Sequence, residues 1–213
     1  IAMLVKDGRY RDVYIPSNCY QELREAVLER ERLVEQMTAL SNQVIRWLDI
    51  RFPEFTKVFK SWKGKTAFAT LKQFPTPVKV AQAGPEGLIA LWQQHVKRNY
   101  ALKAQQLFQA AKTSIGRVSG SNAAEVVLQN LLVQYELAAS QLEQIEALLS
   151  DLVLTVPHSD TLLDVKGIGK LSTAVIISEI GTIQRFSSPR QIISLAGLSL
   201  RENSSGKHKG QTT

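Results

Sequence analysis

One cysteine, Cys19, is all the chain contains, so no intramolecular disulfide can form and a reducing, cytoplasmic setting is expected. Histidine is nearly as scarce. His95, His158 and His208 lie far apart, and with a single thiol they make no zinc-ligand spacing. No apolar run approaches the roughly 18 residues of a membrane span, so a soluble chain with no membrane partner is expected. Carboxylates do not converge either. Metal-dependent nucleases need several of them on Mg²⁺, whereas the acidic residues here fall mostly on outward helix faces beside basic neighbours. Asp164 and Glu179 sit on different elements without acidic companions. The chain itself is therefore expected to hold no metal and no cofactor. Both ends read as cut: residues 1–5 begin mid-helix by their apolar content, and residues 210–213 stop without a closing element.

Positive charge is what the chain has in excess. Its 213 residues carry a net charge of +7 and are 44% hydrophobic, a globular composition with a core of ordinary size in one large domain or two small ones. The surplus favours a polyanionic partner, although charge alone does not choose among DNA, RNA and membrane. Between positions 51 and 103 the surplus concentrates. Arg51, Lys57, Lys60, Lys63, Lys65, Lys72, Lys79, Lys97, Arg98 and Lys103 stand against only Glu54 and Glu86. Trp62, Phe68, Phe74 and Trp92 are interleaved with them. The rings read as a small core and the lysines as phosphate contacts. Phe74-Pro75-Thr76-Pro77 and Gly84-Pro85 break this stretch into two or three short helices with rigid corners.

Two long amphipathic patterns flank the basic insert. The first runs from a cap at Ser17 or Asn18 to about Arg51, ahead of Phe52-Pro53. Its seam is Tyr20, Leu23, Val27, Arg30, Val34, Met37, Ser41, Val44 and Leu48, spaced 3,4,3,4, which is heptad spacing. The second, over 123–152 with Asn122 as cap, keeps the same spacing through Leu128, Leu131, Tyr135, Ala138, Leu142, Ile145, Leu149 and Leu152. Between them lie a helix over 101–111 and a Ser/Gly-rich loop over 114–122. Two such seams predict an antiparallel coiled-coil pair, within one chain or shared between protomers. Upstream, residues 12–15 read as a short strand ended by Pro16.

The stretch LLDVKGIGKLSTAVIISEIG, residues 162–181, organises the C-terminal part. Gly167 and Gly169 permit positive φ and close approach of a bulky partner, and Ile168 between them is read as an anchor to the core. Leu171, Ala174, Val175 and Ser178 recur at helical spacing before a stop at Gly181. Outward backbone N–H groups at such a helix start suit a phosphate, and Lys166 and Lys170 bracket the turn. The pattern resembles a helix-hairpin-helix, a sequence-independent DNA-backbone clamp; a plain helix–helix corner uses the same glycines. Beyond it, Ser188-Pro189 opens another helix that ends at Gly197. The tail LSLRENSSGKHKGQTT places Ser204 and Ser205 among Arg201, Lys207 and Lys209, where cations can stabilise charge on a phosphorus under attack by a hydroxyl. His208 is near in sequence, with no fixed geometry as a base.

Residues 167–206 resemble the C-terminal domain of the DEDD-type insertion-sequence transposases, the IS one-ten and IS eleven-eleven group. The matching words are Gly167-Ile168-Gly169, Thr173-Ala174, Glu179-Ile180-Gly181, Arg185-Phe186, Ala196-Gly197-Leu198 and Ser205-Gly206. LVKDGRYRDVYIP near the start and the FPTP word at 74–77 agree with that family's layout, so the resemblance spans essentially the whole chain. It implies a mainly α protein in three parts: a RuvC-like remnant over 1–16, a helical coiled-coil region with a basic insert over 17–156, and a transposase domain with a helix-hairpin-helix over 157–213. It further implies that Ser205 is the nucleophile. Lys166, Gly167, Gly169, Lys170, Arg201, Lys207 and Lys209 become candidate DNA contacts. DNA and a structured guide RNA are the implied partners, with homo-oligomerisation through the coiled coil. Mg²⁺ is implied only for RuvC-like carboxylates, the last two of which fall before Ile1. Leu200 departs from the family's frequent proline. On this reading the chain alone binds nucleic acid without catalysing. The rival reading is a non-catalytic helix-hairpin-helix adaptor that dimerises through its helices.

Overall fold

The computed structural model describes Met3, Lys6 and residues 18–97 and 100–198. Everything in those ranges is helix or connection, and no strand occurs among the described residues. The expected strand over 12–15 lies outside them.

Helix α1, Asn18–Arg51, stops where the sequence predicts. Pro53 cannot donate and disfavours helix in the residue before it, and Phe52 N closes the last turn onto Leu48 O at 2.7 Å. The basic insert follows as α2 (Phe55–Val58), α3 (Lys65–Gln73) and α4 (Pro77–Gln93). Thr76 caps α4, its side chain accepting from Lys79 N, and Pro77 occupies the first turn. Gly84, at φ 67°, interrupts α4 immediately before Pro85. The breakers thus act where the sequence puts them. Next come α5 (Ala101–Lys112) and α6 (Ser121–Thr155). Helix α6 starts one residue ahead of the expected cap, so Asn122 lies inside it.

The chain divides into two compact units. The unit formed by residues 31–143 has an aromatic core. Phe52, Phe55, Phe59, Trp62 and Trp92 are buried there with Leu40, Val44 and Leu48 of α1 and Leu128, Leu131 and Leu132 of α6. Ring pairs Phe55–Phe59 and Phe59–Trp92 lie 4.9 and 5.7 Å apart. The buried indole of Trp92 donates to Thr70 Oγ1 and that of Trp47 to Ala124 O, both at 2.8 Å. The rings are therefore core, as expected, and Phe68 and Phe74 pack against it.

The other unit combines residues 1–30 with 144–213. Its core joins Leu23, Ala26 and Val27 of α1 to Leu149, Val153 and Val156, and to Ala174 and Ile177 of a later helix. Arg30 Nε contacts Glu146 Oε1 at 2.8 Å, which explains the polar interruption in the first seam.

In each unit the seam of α1 is covered by α6 of the same chain, so burying it requires no second protomer. The strict heptad also shifts mid-helix: Leu33 is 1% exposed and Val34 is 37% exposed. A straight helix repeats every 3.6 residues rather than 3.5, and Ala26, Leu33, Leu40 and Trp47 broaden the buried stripe beyond the two positions per heptad that the spacing alone suggested.

Five hydrogen bonds hold the loop over 113–120 against the end of α1 and Glu54 just beyond it, and a sixth lies within the loop. Arg117 N donates to Ile50 O at 2.9 Å, and Arg51 Nη1 donates to Arg117 O and Ser119 O at 3.0 and 2.6 Å. Ser114 Oγ and Ile115 N donate to the Glu54 carboxylate at 2.6 and 3.1 Å, while Gly116 N donates to Ser114 Oγ at 3.2 Å. Burial pushes the Glu54 carboxyl up, but the bonds from Ser114 and Ile115 and the nearby Lys57 charge outweigh it, and the net shift is downward. A carboxyl with a depressed folded pKa contributes stability above its unfolded value and loses it as pH falls through the folded one. The urea midpoint of the wild type should therefore exceed that of Glu54→Gln at neutral pH. The gap should close on acidification below the ordinary glutamate range; a gap independent of pH would remove Glu54 ionisation from this account.

Candidate nucleic-acid interface

The hairpin is built from α7 (Ser159–Leu163) and α8 (Lys170–Ile180). Asp164 N bonds Asp160 O at 2.9 Å as α7 ends, and Ile168 N bonds Val165 O at 3.0 Å inside the turn. Gly167 takes φ +97°, which an L side chain rarely adopts. Gly169 differs from expectation: its φ is −93° with ψ 176°, an extended conformation open to any residue. A Cβ placed on either glycine would meet nothing within 4 Å. The glycines therefore face open space, and the fold itself requires only Gly167.

Gly169 is the residue ahead of α8 and offers no side-chain cap. The first N–H groups of α8 thus start at the open face. Lys166 and Lys170 are exposed on either side of the turn, and Ile168 between them is half-buried. The inner face of α8 contains Ala174 and Ser178 as expected, together with Thr173 and Ile177, which the spacing argument left out.

Thr173 is fully buried and its Oγ1 has no hydrogen-bond partner. An unpaired buried hydroxyl costs on the order of 1–3 kcal/mol. Thr173→Val keeps the branched shape and removes that hydroxyl, so it should raise the thermal midpoint; a lower midpoint would show that the hydroxyl has a role in the folded state.

After α8, Gly181 leads to a 3₁₀ turn at Ile183–Arg185 and then to α9, Pro189–Leu195. Ser188 sits at the N-cap of α9, but its side chain makes no capping bond. Gln191 Oε1 instead accepts from Ser187 N at 2.9 Å. Arg201, Ser204, Ser205, Lys207, His208 and Lys209 lie outside the described residues.

In the basic insert, Lys72 pairs with Glu136 at 2.9 Å and Lys79 with Glu125 at 2.5 Å. Those two cations tie α3 and α4 to α6. Lys57, Lys60, Lys63 and Lys65 are exposed and alternate in sequence with or follow the buried Phe55, Phe59 and Trp62. Lys112 and Arg117 also carry surface charge. They escaped the sequence reading because they lie beyond position 103, in a helix end and a Ser/Gly loop. Among the described residues no three His, Cys, Asp or Glu side chains are grouped to hold a metal, and no helix is long and apolar enough to cross a membrane.

Residues 159–213 match the family model described as Transposase IS116/IS110/IS902 family. The matched stretch begins at the first residue of α7 and includes the whole hairpin. None of the curated proteins compared with the chain matches it. The family-model match supports an IS110-type transposase, and with it a recombinase role.

Proposed function

We propose that this protein acts as a DEDD-type insertion-sequence transposase, breaking and rejoining DNA with a structured RNA as guide. The observation that carries the reading is the coincidence, in residues 159–213, of the family match with a lysine-flanked glycine turn open to solvent. Within it, residues 1–16 close a RuvC-like domain, 17–156 form the coiled-coil region with its basic insert, and 157–213 form the transposase domain. The turn serves as a helix-hairpin-helix. Gly167 shapes it, Gly169 keeps its face clear, and Lys166 and Lys170 meet phosphate charge.

Ser205 is the proposed nucleophile. Its Oγ forms a bond to phosphorus as the strand's P–O bond breaks, leaving a protein–DNA ester and a free hydroxyl end for rejoining. Arg201, Lys207 and Lys209 offset the charge that develops on the phosphate oxygens. Mg²⁺ would supply charge neutralisation on RuvC-like carboxylates; the described residues do not fit such a site. Self-association is proposed through a second copy on α6, where Val126, Val133 and Leu137 are more than half exposed and recur on one face.

The hairpin supplies the test of binding. Gly169→Ala adds a Cβ in open space and should leave the fold intact by circular dichroism, while weakening DNA binding equally for unrelated sequences. Lys166→Gln with Lys170→Gln should lower the slope of log affinity against log salt by roughly one to two units. Unchanged affinity and slope would make the hairpin a structural corner and favour neither enzyme nor adaptor.

A further inference from the structure

The unit formed by residues 31–143 contains a cleft of about 810 Å³ beside the 113–120 loop, with lining from the start of α4, the end of α5 and the start of α6. Arg51, Lys79, Lys112 and Arg117 contribute four cations to its wall, against the single carboxylate of Glu125. Lys79 and Glu125 pair with each other at 2.5 Å. The charges of Arg51, Lys112 and Arg117 then face no carboxylate in the lining.

These cations are held in position. Two loop carbonyls fix the Arg51 guanidinium. Arg117 Nε donates to Ser119 Oγ at 3.1 Å, and the Arg117 backbone is tied to Ile50. Lys112 Nζ stands 4.6 Å from the centre of the Phe108 ring. Ordering of this wall precedes any ligand, which lowers the entropy lost on binding. Among the described residues no aromatic side chain lines the cleft, so bases find no ring there to stack on. A cationic, preorganised and ring-free cleft suits an anion that repeats along a chain, read through charge alone.

We propose that this cleft grips the sugar–phosphate backbone of a nucleic-acid strand without reading its bases. The contact is additional to the one at Lys166 and Lys170 and lies outside the stretch matched by the family model; it rests on the reading of the protein as a nucleic-acid enzyme. Arg51 shapes the loop and contributes charge, while Lys112 and Arg117 make the outward phosphate contacts.

The test is fluorescence anisotropy of the whole chain with labelled single-stranded DNA of two unrelated sequences over a salt series. Lys112→Glu with Arg117→Glu should lower the salt slope by roughly one to two units for both sequences. The loss should add to that of Lys166→Gln with Lys170→Gln. Lys112→Gln with Arg117→Gln should give a smaller shift of the same sign, and it decides the matter if the glutamate variant fails to fold by circular dichroism. A slope equal to that of the unaltered chain overturns the cleft, as does a loss confined to one sequence. Displacement of the DNA by inorganic pyrophosphate at matched phosphate concentration would assign the cleft to a small anion and likewise overturn it. No binding by the unaltered chain would sink the nucleic-acid reading itself, a result distinct from binding that ignores Lys112 and Arg117.

Discussion

Ser205→Ala is expected to abolish strand cleavage and the covalent protein–DNA adduct in the intact protein while leaving DNA and RNA binding unchanged. The proposed step forms an Oγ–P bond, and alanine has no atom to form it. The neighbour supplies the control. Ser204 shares the same local charge from Arg201 and Lys207, so Ser204→Ala should be far milder if position, and not merely a basic setting, selects the nucleophile. Trapping the adduct on a denaturing gel reads both variants directly. An adduct that survives Ser205→Ala and vanishes with Ser204→Ala would move the assignment by one residue. Survival in both would remove serine catalysis from the proposal, and preserved binding with no adduct in any form would favour the adaptor.

The largest effect on stability is expected at Gly116. A Cβ there would lie 2.0 Å from Arg51 O and 2.5 Å from Arg51 C, inside the distances that real atoms reach. The obstacle is backbone, so no side chain can swing aside. Either the 113–120 loop lifts off the end of α1 or α1 itself distorts. Lifting the loop breaks the Arg117–Ile50 bond and the two Arg51 bonds to loop carbonyls together. Overpacking of this kind costs about 1–3 kcal/mol, and the coupled bonds place Gly116→Ala at or above the upper end. Chemical denaturation should show the loss. Gly169→Ala, with nothing within 4 Å of its Cβ, should shift the midpoint little. Equal midpoints for the two variants would contradict the close approach at Gly116.

Those two glycines also mark the limit of sequence reading. Gly169 looked like a residue that needed unusual backbone angles, and Gly116 looked like a solvent loop. The structure reverses the roles. What constrains Gly116 is a carbonyl more than sixty positions away in sequence, and local spacing holds no trace of such a contact. Local signals fared better. Phe52-Pro53 ended α1, Thr76-Pro77 opened α4, and Gly84-Pro85 interrupted it, because each effect arises within a few residues of its cause. The heptad seam was legible as an apolar stripe, yet its register was misplaced at Val34, since a straight helix drifts from a 3.5-residue repeat and Leu33 is the neighbour that is buried. The hairpin was legible as two helices around glycine. Thr173 was not, because a buried threonine looks like any helix residue until its surroundings are known.

The Arg30–Glu146 contact joins two points between which more than a hundred residues leave and return. That arrangement sets an order of events in time. Closing so long a loop in an unstructured chain costs about 4 kcal/mol in entropy. The intervening stretch, contiguous in sequence with a buried core of its own, can form first and shorten the effective loop. On the ribosome the opening turns of α1 must wait, their apolar residues Leu23 and Val27 unburied, until Leu149 and Val153 have emerged. In a growing chain this apolar surface therefore stays uncovered while the intervening residues emerge, and the exposed glutamates Glu22 and Glu25 beside it carry the charge that discourages aggregation in the interval.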